Sequence, residues 1–250
     1  MKGVNRFIKT KMDFKDETYS WKNTSLLEFV LAGNCPHSWK EFFSRENVLA
    51  EIQKVSDRIS EVIKAGKTVY PPPELVFRAF HVPVNRVKVV LIGQDPYHDG
   101  NAVGLCFSVP RTAKSINPSL QNIYTELENE GFSPKRHGDL SEWANQGVMM
   151  LNTALTVEKG DPETHLDVWY DFFELVLQEI SQKSPEAVWM FLGTKAMKFS
   201  KYAKPERSVW SSHPSPLSAY KQSAKFPAFI GSGVFGKVNE MLQEKIVWDK

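Results

Sequence analysis

Four short apolar runs in this chain each stop at polar residues. Val87-Lys88-Val89-Val90-Leu91-Ile92 stops at Gly93-Gln94-Asp95, and Gly147-Val148-Met149-Met150-Leu151 stops at Asn152. Ala187-Val188-Trp189-Met190-Phe191-Leu192 stops at Gly193-Thr194, and Ser208-Val209-Trp210-Ser211 stops at Ser212-His213-Pro214. Short apolar runs bounded by turn residues predict buried strands. Between and around them the apolar spacing lengthens to three to five residues. From Ser38 onward Trp39, Phe42, Phe43, Val48, Ile52, Val55, Ile59 and Ile63 form one helical stripe, with Gly66 as its stop. Further helices are predicted over Glu74 to Phe80, from Leu120 to Leu127, from Asp139 with Glu142 as a capping box, over Val168 to Ile180, Thr194 to Tyr202, and Val234 to Ile246.

Strands alternating with helices predict an α/β fold, a central four-stranded parallel sheet flanked by helices on both faces. In a parallel sheet all carboxyl ends point one way, and open α/β sheets bind ligands beyond those ends. The polar endings therefore share one rim: Asp95 with His98, Asn152, Gly193-Thr194, and His213. Each of these residue types is also ordinary turn chemistry, so the rim alone leaves turn and site both open. Gly231-Ser232-Gly233 before the last helix reads as a helix-entry turn, with an anion site as the alternative.

Composition narrows the class. The chain has 250 residues, of which 42% are hydrophobic and 24% charged, enough for one domain with a large core. Its formal charge of +2 does not call for nucleic acid, so any DNA contact must come from a local patch or from backbone amides. Two cysteines, Cys35 and Cys106, make neither a disulfide framework nor a zinc quartet, and no cluster of metal ligands or phosphate-cradling glycine loop stands out. No run approaches the ~18 apolar residues of a membrane span. Residues 1–24, with Lys2, Arg6, Lys9, Lys11, Lys15 and Lys22, are expected to be a basic, loosely held tail, and residues 25–250 a single catalytic domain.

Two stretches carry a family resemblance. Gly93-Gln94-Asp95-Pro96-Tyr97-His98 resembles the water-activating loop of the family 1 uracil-DNA glycosylases, and His213-Pro214-Ser215-Pro216-Leu217-Ser218-Ala219-Tyr220 is similar to that family's DNA-intercalation loop. Asn152 after Val148-Met149-Met150-Leu151, the Gly104 to Val109 segment, Tyr70-Pro71-Pro72-Pro73 and Ser38-Trp39-Lys40-Glu41 also match, in order, from about Ser38 to Lys250.

The resemblance implies an enzyme that flips uracil out of DNA and hydrolyses its glycosidic bond, leaving an abasic site, without metal or cofactor. It implies Asp95 and His213 as catalytic residues, and Gln94, Tyr97, Phe107 and Asn152 around the uracil. It assigns His98, Ser119, Ser215, Leu217, Ser218 and Tyr220 to DNA, with Leu217 as the apolar wedge. Expected partners are uracil-containing single- and double-stranded DNA, a proteinaceous glycosylase inhibitor and replication proteins, but no membrane. The chain is expected to be monomeric and intracellular, cytoplasmic in a bacterium and nuclear in a eukaryotic or viral setting. Three departures stand out: Val103 occupies a place where many relatives have His, the loop after Arg111 is poor in proline, and about Gln222 to Pro227 is an extra segment beside the wedge. Competing expectations are a non-catalytic DNA-binding module and a hydrolase of small nucleosides. The presence of Asp95 and His213 counts against the first, and the wedge loop against the second.

Overall fold

The structure is a computed structural model and describes residues 19–250. The four apolar runs form strands β2 (Val89–Gly93), β3 (Val148–Asn152), β5 (Val188–Leu192) and β6 (Ser208–Ser211) of one parallel sheet in the order β3-β2-β5-β6. β2, β3 and β5 are buried along their whole length, as strands covered on both faces must be. A short antiparallel pair, β1 (Val69–Tyr70) with β4 (Val157–Glu158), lies outside this sheet and has no counterpart in the sequence expectations.

Strand order explains where the helices lie. From β2 the chain moves one way to β3, through α4 (Pro118–Asn129) and α5 (Ser141–Asn145). From β3 it moves the other way to β5, through α6 (Leu166–Lys183), and on to β6 through α7 (Thr194–Met197). Right-handed crossovers in opposite directions fall on opposite faces. β2 is thus the strand from which the connections diverge, and a crevice opens at its carboxyl end. On the α6 side pack α1 (Leu26–Leu31) and α3 (Glu46–Lys64). There Trp39, Phe42, Phe43, Phe77, Phe80, Trp169 and Phe172 build a core of mostly edge-to-face rings.

Several expectations need correction. The stripe from Trp39 to Ile63 is buried as expected, except that Ile63 is only partly so, but it is not one helix. A 3-10 turn at His37–Trp39 leads into α2 (Lys40–Phe43), and the chain breaks at Ser44-Arg45 before α3. Glu74 to Phe80 is two 3-10 turns, Pro73–Leu75 and Arg78–His81, and not one α-helix. The capping box does not form: α5 starts at Ser141 with Leu140 as its N-cap, the Asp139 carboxylate accepts from the Ser141 N–H, and the Asp139 N–H goes to His137 Nδ1. The last helix, α8 (Val234–Met241), stops short of Ile246, whose N–H and carbonyl are taken by the Asn239 side chain. Tyr19 stacks edge-on against Phe29 at 5.1 Å and Trp21 Nε1 donates to the Pro71 carbonyl at 2.9 Å, so the packed region begins before residue 25. The rest of the expected tail, residues 1–18, lies outside the described residues.

At Gly231-Ser232-Gly233 the anion is the chain's own. The buried Glu126 carboxylate of α4 accepts from the Gly231 and Gly233 N–H groups at 2.6 and 2.7 Å, and Glu130 accepts from Phe235 and Gly236. Two carboxylates thus satisfy the donors at the start of α8 and lock it to α4.

Candidate active site

Register brings the polar endings together. Gly93 pairs with Asn152 across β2–β3, and Leu192 pairs with Ser211 across β5–β6. Asp95 follows β2 by two residues and His213 follows β6 by two, so both reach the same rim. They enclose a cavity of about 280 Å³, whose lining includes Gln94, Asp95, Tyr97, Phe107, Asn152 and His213.

Two glycines make the close approaches possible. A Cβ on Gly93 would sit 2.2 Å from Asn152 Oδ1, so only glycine lets the amide lie over the strand end. A Cβ on Gly193, at φ +89°, would meet His213 Cβ at 2.9 Å. Asn152 is buried, yet among the described residues no hydrogen bond satisfies its side-chain amide. Its donor and acceptor open onto the cavity, where a ligand can take both.

Phe107 sits at φ +64°, a left-handed conformation that is unusual for a bulky residue. It is held there. The Tyr97 hydroxyl donates to the Phe107 carbonyl at 3.1 Å, and Val109 N–H donates to Gly138 at 2.9 Å. The Phe107 ring lies 5.8 Å from the His213 ring, tilted by 41°, which leaves a flat apolar wall beside the amide. Strain fixed by surrounding bonds is a common feature of ligand sites.

The titrating groups are tuned by burial. Asp95 Oδ2 accepts from the Glu163 N–H at 2.8 Å and Oδ1 accepts from Gln94 Nε2 at 3.2 Å. Burial raises the Asp95 carboxyl above its ordinary range, and the Glu163 N–H partly offsets this. His213 Nδ1 accepts from the Ser215 N–H at 3.0 Å, which puts the proton of the neutral ring on Nε2. Burial, aided by the Lys195 charge, lowers His213 to about 4. At neutral pH the ring is therefore an uncharged donor. Among the described residues no group of three or more His, Cys, Asp or Glu is placed to hold a metal ion.

Known proteins resemble this chain in sequence and in fold. The family model described as the Uracil DNA glycosylase superfamily matches residues 80–234, which span the cavity and both loops. The chain belongs to the uracil-DNA glycosylase superfamily. It is 40% identical over 213 residues to a uracil-DNA glycosylase of Azotobacter vinelandii, covering 83% of this chain and 89% of that one. Among solved structures it resembles mimivirus uracil-DNA glycosylase, with a TM-score of 0.80 and 28% identity over 88% of this chain and 89% of that one. It also resembles a variant of that mimivirus enzyme in complex with UGI, with a TM-score of 0.79 and 29% identity over 88% and 91% of the two chains.

The other residues singled out for this glycosylase fall around the cavity mouth. Ser119 and His98 line it, with His98 exposed. Ser215 Oγ and Ser218 Oγ bond each other at 2.9 Å, and Ser218 Oγ donates to the His213 carbonyl. Leu217 and Tyr220 stand out of the surface, 80% and 68% exposed. Sequence reasoning missed Pro162, which lines the cavity, and Glu163, whose N–H holds Asp95 and whose carboxylate pairs with Lys195 at 2.6 Å. Gly160-Asp161-Pro162 does mark a turn after β4. That this turn folds back onto Asp95 would have followed only from tracing it over the shared rim.

Proposed function

We propose that this chain cleaves uracil from DNA in the cavity at the end of β2, with Asp95 and His213 as its catalytic groups. As a uracil-DNA glycosylase it is a hydrolase of N-glycosidic bonds and acts in base excision repair. A base inside a duplex cannot reach a cavity of this kind and must be flipped out. Phe107 then stacks on the uracil ring, and Tyr97 lies where a C5 methyl would go. The free amide of Asn152 pairs with uracil O4 and N3–H, which need one donor and one acceptor. This amide, left without a protein partner in a cavity that Phe107 also lines, is the observation that carries the reading. The Gln94 N–H adds a donor to the base; its carbonyl is already taken by Ala154.

Breaking the glycosidic bond leaves positive charge on the sugar and negative charge on the departing base. Ionised Asp95 stabilises the cation and orients the attacking water. His213 donates its Nε2 proton in a hydrogen bond to uracil O2 as charge gathers there. Neutral His213 suits this task, because a fixed donor stabilises the anion without a proton having to move. Outside the cavity, Ser119 grips phosphate, Ser215 and Ser218 do so when their hydroxyls exchange their bonds within the loop for phosphate oxygens, His98 meets the backbone, and Leu217 with Tyr220 enters the vacated stack.

The mimivirus complex with UGI supports a proteinaceous inhibitor as a partner. The reading also takes the chain as monomeric, in contact with replication proteins, and intracellular, where the unpaired Cys35 and Cys106 stay reduced. The experiment is uracil release from single- and double-stranded oligonucleotides in excess EDTA, with thymine-containing strands as control. Release of uracil alone, undiminished by chelator, is expected. Full dependence on an added divalent metal would contradict the reading.

A further inference from the structure

Beside the cavity mouth lies a second, open pocket of about 460 Å³. Its walls are the loop that leaves Val109 and the loop that enters α5, and they carry Arg111, Lys114, Ser115, Gln121, Arg136 and His137. It abuts the first site through both chain segments. Ser108 lines the cavity three residues before Arg111, and Ser119 lines it two residues before Gln121. The two loops are tied by the Val109 N–H and the Ser108 hydroxyl, both donating to the Gly138 carbonyl.

The charges there are left over. Arg136 is matched by Glu128, which takes two of its nitrogens at 2.8 and 2.6 Å. Among the described residues no carboxylate pairs with Arg111 or Lys114, and both are exposed. Asp139 is close, but its Oδ1 is engaged by the Ser141 N–H and hydroxyl.

His137 shows what is missing. Its Nδ1 faces the Asp139 N–H at 3.1 Å, and its Nε2 faces an Arg111 guanidinium nitrogen at 3.0 Å. Burial and the Arg111 charge push the pKa of this ring down, against Asp139 and Glu142, and favour its neutral form; protonated, it would accept at neither nitrogen. A neutral imidazole carries one N–H and can accept at only one nitrogen. With Nδ1 accepting from the backbone, the Nε2–H points at another donor. The pair lacks an acceptor, and an anion seated between Arg111 and His137 would take a hydrogen bond from each.

We propose that Arg111, Lys114 and His137 form a binding site for a DNA backbone phosphate, outside the grip of the serines and one step along the strand from the flipped nucleotide. The proposal rests on the uracil-excision reading for its choice of ligand: the pocket adjoins the mouth where DNA must lie, and an anion already bound in a polymer needs no further specificity. It also explains how a chain with a net charge of only +2 gains a local cationic surface where the strand passes.

The test measures binding to a long duplex that contains no uracil, as a function of salt, so that catalysis plays no part. Each phosphate contact contributes about 0.9 to the slope of log K against log salt. Arg111→Ala combined with Lys114→Ala should flatten the slope by about 0.9, the share of one phosphate. Arg111→Lys should preserve most of it, and a uracil-containing trinucleotide should be cleaved by the double variant at the wild-type rate. An unchanged slope in the double variant would overturn the proposal. So would saturation of the pocket by inorganic phosphate, followed by nuclear magnetic resonance of His137, if the duplex slope does not change when that phosphate is present. Loss of trinucleotide cleavage by the wild type would instead strike the catalytic reading, and the slope would still decide this one.

Discussion

The cavity at the end of β2 and the loop after β6 solve opposite problems within a few residues of each other. In the cavity, polar groups are buried and pinned. Asp95 is held by two donors, the His213 tautomer is set by a backbone N–H, and Asn152 is pressed over a glycine. Burial displaces His213 toward the neutral form that the chemistry needs, whereas it pushes Asp95 toward its protonated form, a shift that the Glu163 and Gln94 donors oppose. In the loop, an apolar residue is left in water. Leu217 is 80% exposed, although the backbone around it is tightly held. Ser218 and Ala219 N–H both donate to the Ser215 carbonyl, and Asn122 Nδ2 donates to the Pro214 carbonyl at 2.7 Å. Folding gains nothing from a rigid frame that displays a leucine to solvent. On the proposed reading the difference separates two duties: the cavity selects uracil and cleaves it, and the loop decides how readily a stacked base gets there.

The largest effects should come from the cavity. Asp95→Asn and His213→Ala each remove one interaction that grows as charge develops, and such losses commonly cost on the order of 10²–10³ in rate. Single-turnover uracil release should fall by that factor, with binding to uracil-containing DNA retained. A near wild-type rate in either variant would remove that residue from the mechanism.

A smaller effect concerns pH. The unfolded His213 titrates near ~6.5, whereas in the folded protein it titrates at about 4. Between these values the unfolded chain binds the extra proton, so stability present above ~6.5 is lost as pH falls toward 4. The loss is about 3 kcal/mol at most, taking roughly 1.4 kcal/mol per pKa unit. Equilibrium unfolding at neutral pH and near pH 4 should show the wild type losing more stability than His213→Asn. Equal losses would mean that the ring is not held neutral by burial. The raised Asp95 carboxyl should place the acid limb of the rate above the ordinary ~3.9 of an aspartate.

How much of this could be read from the chain differs between the same two regions. The four strands, their shared rim and the residues at their ends followed from apolar runs that stop at polar residues, because register in a parallel sheet carries those endings to one place. The motifs around Asp95 and Leu217 then supplied roles. What escaped was backbone chemistry. Nothing in the residue identity of Glu163 says that its N–H, at φ +68°, will hold Asp95. The left-handed Phe107 is equally silent, since its conformation is imposed by Tyr97 and Gly138. Helix ends failed where tertiary bonds overrode pattern, as where Asn239 captures Ile246. Gly231-Ser232-Gly233 had the composition of an anion site, and the missing fact was that Glu126, more than a hundred residues earlier, fills it.

The division of duties is tested most directly by one rate ratio, duplex over single strand, measured for the wild type, Asp95→Asn, Leu217→Ala and the double variant. Unstacking costs a few kcal/mol in a duplex and much less in a single strand. Leu217→Ala should therefore lower the ratio while leaving single-strand release near the wild-type rate. Asp95→Asn should slow both substrates alike and leave the ratio where it was, and the two effects should multiply in the double variant, as for independent sites. An unchanged ratio in Leu217→Ala, or a shifted one in Asp95→Asn, would contradict the account.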